Sequence, residues 1–355
     1  MIVRKISCFL IILGLAIFSS SCSERELIPM QVDLSRSVSK LPFVIALDQG
    51  LYEKYGLDIE VRLEPPDFEG GISMPSTNLF ARIWRKGREL TSKDALWNPN
   101  IIVSGANGRI ADMASNAYAP RFISLAATDC KVRAYIVAGK AFERLEDLKG
   151  KRLGVSSLRG NTGFVALLLA ERMGWDPIQD ISILARGNTI DALREGRVDA
   201  IVANERSFAA ASQVDLSILQ ATSTWNTPLA GNSVKVEAAW LQDPQNREAA
   251  RRFLQAMIEG IALFHQDREL ALQVLDKWHG ITDRPYAETV YEGGQWIPQK
   301  PYPCYEGTIK AMEVYDSNAL RKYQPEDFYD DSLIRELDES GFIDDLYTTH
   351  GSKSP

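Results

Sequence analysis

The sequence predicts an α/β fold, and three observations carry that prediction. Between residues 145 and 202, short apolar runs alternate with helical stretches in the order of a parallel sheet covered by helices. Before them, short apolar runs such as Ile101–Val103 and Phe122–Ala127 lead straight into polar or glycine-bearing loops. The composition, 45% hydrophobic and 25% charged over 355 residues, suits a globular chain with room for roughly two domains of ~150 residues, each with its own core.

Residues 1–21 read as a signal peptide: Arg4 and Lys5, an apolar run from Ile6 to Phe18, then small residues up to Cys22. The run is shorter than the ~20 apolar residues that span a bilayer. Small residues ending at a cysteine resemble the bacterial lipobox, which implies lipidation at Cys22 and a lipid-anchored tether over residues 22–31. Ser19 stands where the lipobox usually has leucine, so plain secretion is the alternative.

From Val32 the chain is extended. Leu41-Pro42 then opens a helix that ends near Gly50, because proline at a first turn forfeits no hydrogen bond. Leu57–Leu63 alternates apolar and polar residues as a strand does. Leu79–Trp84 reads as a capped helix, and 85–100 as an extra loop. Val132–Val137 is a strand, Leu145–Leu148 a short helix closed by Gly150, and Arg152–Val155 a strand. A mostly apolar helix starts at Thr162, the strand Ile181–Leu184 follows, and Thr189–Glu195 is a helix stopped at Gly196. Val198–Val202 completes the series. Beyond residue 240 long amphipathic helices take over, at 246–264, 269–278 and 332–346, with Pro298, Pro301 and Pro303 marking an irregular crossing between them.

The formal charge of −7 argues against non-specific nucleic-acid binding, which needs a basic face. Without residues 1–21 it becomes −9, since Arg4 and Lys5 leave with them. A local site can still oppose the global charge. Three histidines and four scattered cysteines leave little for a metal centre or histidine-based catalysis, so no catalytic residue, metal or cofactor is expected. Cys130 and Cys304 are the two cysteines left in the exported body, either as a disulfide or as two buried thiols.

Certain segments resemble a known family. Asp147-Leu148-Lys149-Gly150-Lys151-Arg152-Leu153-Gly154-Val155 is similar to a signature of periplasmic solute-binding proteins. Leu193-Arg194-Glu195-Gly196-Arg197-Val198-Asp199-Ala200 resembles a second, and Pro42 to Leu57, with Gly50-Leu51-Tyr52 and Tyr55-Gly56-Leu57, a third. Their order resembles the nitrate/sulfonate/taurine and thiamine-precursor (NMT1/THI5-like) branch over most of residues 32–280; the tail at 285–350 is longer than that family has. The resemblance implies a two-lobe type II periplasmic binding protein fold with extra C-terminal helices. Lobe one would be 32–130 plus 230–355, and lobe two 131–229. It further implies a monomeric, extracytoplasmic component of an ABC importer that delivers a small sulfonate, nitrate, carboxylate or pyrimidine-like nutrient to a permease and its ATPase. An enzyme on the same fold, of the thiamine-pyrimidine synthase or dehydratase kind, is the alternative; the cysteine-rich run of the former is missing here.

Ligands of open α/β sheets sit beyond the carboxyl ends of strands. That places Ser39 and Lys40 before the first helix in the candidate site. Ser104, Asn107 and Arg109 follow one strand; Ser156, Ser157, Arg159, Asn161 and Thr162 follow another; Asn204 and Glu205 follow a third. Ser73, with Ser76 and Thr77 behind Gly70-Gly71, makes a second anion cradle. Arg109 and Arg159 suit a bidentate grip on a sulfonate or carboxylate. Trp225 and Trp240 fit core positions better than ligand walls.

Overall fold

The computed structural model describes residues 27–34, 37–63, 99–114, 122–204, 208 and 215–348. Cys22, Ser73, Glu205, the helix expected at 79–84 and nearly all of the 85–100 loop lie outside them.

Strand β1 (Ile28–Leu34) turns Met30, Val32 and Leu34 inward on alternate positions. It therefore begins inside the stretch expected to be tether: residues 28–31 pair with β2 (Leu57–Leu63) from Ile28↔Leu57 onward. Helices α1 (Leu41–Asp48), with Pro42 in its first turn, and α2 (Leu51–Lys54) connect the two strands. Gly50 between them has φ 64°, a left-handed turn that favours glycine. β3 (Ile101–Gly105) lies parallel to β1 on its other side. After helix α3 (Asn107–Ala114), β4 (Phe122–Ala127) runs along the sheet's far edge. Between β3 and β4, antiparallel to both, lies β10 (Asn232–Glu237), which returns from much later in the chain.

The second sheet repeats this plan. β6 (Arg152–Val155) pairs in parallel with β7 (Ser182–Ala185) and β8 (Ala200–Ala203), while β5 (Tyr135–Ala138) lies antiparallel between β8 and β9 (Ser217–Ala221). Helix α4 (Asn161–Met173) links β6 to β7, and α5 (Ile190–Arg194) links β7 to β8. Thr189 caps α5 by accepting from the Ala192 N–H. Among the described residues the strand orders are β2-β1-β3-β10-β4 and β7-β6-β8-β5-β9. Each lobe thus carries one antiparallel strand in the fourth place of a mainly parallel sheet, the expected α/β architecture.

Helix α6 (Pro244–Gln266) supplies the first core with Phe253, Leu254, Met257, Ile258 and Ile261. Its start is fixed by Asp243, which accepts from the N–H groups of Gln245 and Asn246. α7 (Arg268–His279) and α8 (Arg284–Glu292) pack on the same core. The stretch expected as one final helix is two, α10 (Ser332–Glu339) and α11 (Phe342–Thr348), parted at Gly341 with φ 79°.

Two crossovers join the lobes, 128–134 and 222–231, and they bond to each other. Val132 N–H donates to Thr227 O at 2.9 Å and Leu229 N–H to Cys130 O at 3.0 Å. Buried Thr222 both accepts from Ala134 N–H and donates to Ala134 O, each at 2.8 Å. A third segment lies over this hinge. Helix α9 (Tyr305–Val314) begins beside Cys304, which forms a disulfide with Cys130, Cα–Cα 5.3 Å. A Cβ at Gly307 would run into the backbone of Leu229 in the second crossover. Ala311, Leu320 and Phe328 join the core that contains Leu153, Phe164 and Leu168 of the second lobe. Residues 305–328, counted with the first lobe in the sequence reading, thus bury apolar side chains in the second lobe's core.

Candidate ligand-binding cleft

Between the lobes, at the carboxyl ends of the parallel strands, lies a cavity of about 1010 Å³. Its first-lobe wall takes Ser39 and Lys40 from the turn before α1, Ser104 and Gly105 from the end of β3, and Arg109 and Asp112 from α3. Its second-lobe wall takes Ser156, Ser157, Arg159, Asn161 and Thr162 from the loop opening α4, with Asn204 after β8. Asn107 is fully buried beside the cavity, and its Nδ2 donates to Asn161 Oδ1 across the lobes at 3.3 Å. Among the described residues the fold therefore gathers every strand-end candidate. Trp225 instead lies against Arg172, and Trp240 packs on the first core.

The loop before α4 is tightly made. Thr162 Oγ1 accepts from Ser156 N–H at 3.0 Å and lies 2.7 Å from Ser156 Oγ. Gly163 allows this, since a Cβ there would strike the carbonyls of Ser157 and Leu158. The N-cap of α4 is Gly160, with no side-chain cap, so the positive end of a 13-residue helix faces the cavity. Thr162 is thus spent on the loop and Asn161 on the other lobe, rather than on capping. Gly105 permits the Asn161 contact, because a Cβ there would meet Asn161 Oδ1 at 2.6 Å. At the rim Arg159 forms an ion pair with Asp112 of the opposite lobe, so it latches the lobes instead of projecting freely as a ligand clamp.

Several lining residues escaped the sequence reading. Lys131 and Arg133 come from the first crossover, and the Arg133 guanidinium sits 5.1 Å from the ring centre of Trp296, which also lines the cavity. Arg186, at φ 59°, occupies the left-handed region in the turn after β7, beside buried Asn188. Asp129, Asn232 and Lys235 form the floor. Asn232 donates its backbone N–H and its Nδ2 to the Asp129 carboxylate, and Nδ2 also to Ser39 Oγ at 2.6 Å. Burial pushes the Asp129 carboxyl up to about 6, against the opposing pull of Asn232, Lys40 and Arg133. Burial likewise brings the Lys235 ammonium down to about 8, with Lys40 and Arg109 pushing the same way and Asp112 opposing. Among the described residues the lining holds seven lysines and arginines against two aspartates, a formal surplus of five positive charges in a chain of net −7.

A family model described as NMT1/THI5 like matches residues 128–271. By sequence, no curated protein matches the chain. Among solved structures, the periplasmic nitrate-binding protein NrtA from Synechocystis PCC 6803 superposes with a TM-score of 0.65 at 13% identity, covering 93% of this chain and 99% of that one. The periplasmic aliphatic sulphonate binding protein SsuA from Escherichia coli gives 0.55 at 16%, covering 81% and 85%. The alkanesulfonate-binding protein SsuA from Xanthomonas axonopodis pv. citri, bound to MOPS, gives 0.57 at 14%, covering 88% and 98%. The chain shares their periplasmic binding protein fold.

Proposed function

We propose that this chain is the extracytoplasmic solute-binding component of an ABC importer, which captures a small anionic nutrient between its lobes and presents it to a permease driven by an ATPase. The carrying observation is the surplus of positive charge that the described residues bring to the interlobe cavity of an acidic protein. A low-dielectric cleft lined by one sign of charge raises the local concentration of the opposite sign. The fold shared with nitrate- and sulfonate-binding proteins supports the same reading. The residues proposed to touch ligand are Ser39, Lys40, Ser104, Arg109, Ser156, Ser157, Arg186, Asn204 and Lys235. Arg159, Asn161, Asn107 and Asp112 meet across the lobes. Ligand held by both walls favours the closed arrangement through its differential affinity. Among the described residues no helix is long and apolar enough to cross a membrane. Attachment through lipidated Cys22, as a monomer, belongs to the same proposal.

A thermal-shift panel of nitrate, bicarbonate, taurine, ethanesulfonate, simple carboxylates and neutral pyrimidines tests it. An anion at 100 times its dissociation constant stabilises the protein by ~2.7 kcal/mol. Stabilisation by anions, with pyrimidines inert, is the expected result. Stabilisation by neutral heterocycles alone would overturn the anionic reading.

A further inference from the structure

We propose that the cleft takes an organic anion with a flat, unsaturated body, of the aromatic sulfonate or carboxylate class, and that Trp296 and Arg133 form the subsite for that body. This rests on the reading of the cleft as an anion site.

Of the described tryptophans only Trp296 lines the cavity. The turn that carries it, 293–297, is pinned to the first lobe. Ile297 is buried in the first core, and its carbonyl lies 2.8 Å from His265 Nε2 at the end of α6. The Ile297 N–H donates to Gly294 O at 3.0 Å. Gly294 is pressed so close that a Cβ there would stand 2.6 Å from Val38 Cγ1 and 3.0 Å from Phe264 Cζ. The indole is therefore set before any ligand arrives, which spares the cost of ordering it on binding. Its one polar atom, Nε1, already donates to Gly293 O within the same turn. What this half-buried side chain offers the cavity is hydrocarbon and π surface.

Arg133 completes the subsite from the first crossover. Its backbone is fixed on both sides, by the Val132 bond to Thr227 and the Ala134 bonds to Thr222. Its guanidinium lies over the Trp296 ring, and its Nε is shut from solvent with no acceptor. An inorganic ion has no apolar surface to lay on the indole, and a short alkyl chain has no π face to set against the guanidinium. A flat ring has both. It covers indole surface that water would otherwise wet, and the planar guanidinium stacks on it as it does on Trp296. The anionic head is left to the polar loops of the two walls.

The test is calorimetric titration of the purified protein with benzenesulfonate, cyclohexanesulfonate and ethanesulfonate at neutral pH. All three carry the same head group and charge, so differences among them report the body alone. Wild type is expected to bind benzenesulfonate at least about tenfold tighter than ethanesulfonate. It is also expected to bind it about threefold or more tighter than cyclohexanesulfonate, although the saturated ring is the more apolar. Trp296→Leu, which keeps an apolar side chain without a ring, is expected to lose the preference for the flat ring. Arg133→Lys keeps the charge without the planar fork; it is expected to lose that preference too, and decides the matter should the leucine variant fold poorly. Cyclohexanesulfonate bound as tightly as benzenesulfonate by wild type overturns the inference, as does a preference that survives both substitutions. In either case the anion cleft stands. Binding of none of the three sulfonates, with another anion of the thermal-shift panel bound, likewise overturns the inference alone. If no anion of either set binds, both readings fall.

Discussion

Asp129 is a carboxylate held at the junction of β4 and the first crossover, 7% exposed, where Asn232 and two neighbouring cations stabilise its charge. Because its folded value is raised from 3.8 to about 6, its contribution to stability is whole below about 3.8 and is lost as pH rises through about 6. Asp129→Asn removes the titration and keeps an oxygen to accept from Asn232. Urea titrations between about pH 4 and 7 should show wild type losing roughly 2–3 kcal/mol relative to the variant across that window. A constant difference would mean that the carboxyl is not held out of water as the geometry has it. Residues of this kind explain what the sequence hides. Ser156, Asn161 and Arg109 were legible because hydroxyls, amides and glycines gathered after a strand are a local pattern. Lys235 carried the opposite signal: a lysine between two valines reads as the solvent side of a strand, and only the second lobe turns that side into a cleft. Arg133, Arg186 and Asn232 converge from three distant segments, and no spacing in the chain announces it.

Strands whose apolar runs end at glycine or proline were readable, as were helices with a strong apolar face such as α6. β9 and β10 were not. β9 is an edge strand with Ile218 about half exposed, and β10 is a short insertion whose partners lie more than a hundred residues away. Helix α9 was missed for a related reason: its buried residues Gly307, Thr308 and Ala311 are small and carry little hydrophobic signal. At Gly307 there is no room for a side chain, because the helix there lies directly on Leu229 and Ala230 of the second crossover. Gly307→Ala therefore pushes α9 off Leu229, and a loss of about 1–3 kcal/mol in chemical denaturation is expected. A neutral outcome would show that the helix does not bear on the hinge. The same substitution at Gly108, where the nearest atom to a new Cβ is 3.6 Å away, should be nearly silent and serves as the control.

The molecule as a whole has two lobes, two hydrogen-bonded crossovers and a C-terminal segment that reaches into both lobes. The two-lobe plan was readable because the order of three local signatures survives in the chain; the over-strapping tail was not, since proline-rich segments give no periodicity to read. Its anchor is the Cys130–Cys304 bond, which closes a loop of 174 residues. Replacing both cysteines with serine should cost about 2–5 kcal/mol. If the segment steadies the hinge, small-angle scattering of the ligand-free double variant should show a broader range of interlobe openings than wild type. An unchanged profile would confine the bond's effect to overall stability.

That bond also sets an order in time. Cys130 is made 174 residues before its partner, which follows every described strand of both sheets. Before that partner is made, the described strands of both sheets can pair, but the residues after it have yet to add Ala311, Leu320 and Phe328 to the second core and Leu333, Ile334 and Leu337 to the first. Oxidation of the pair then fixes the start of α9 against the first crossover, so the hinge takes its final form only after residue 304 has been made.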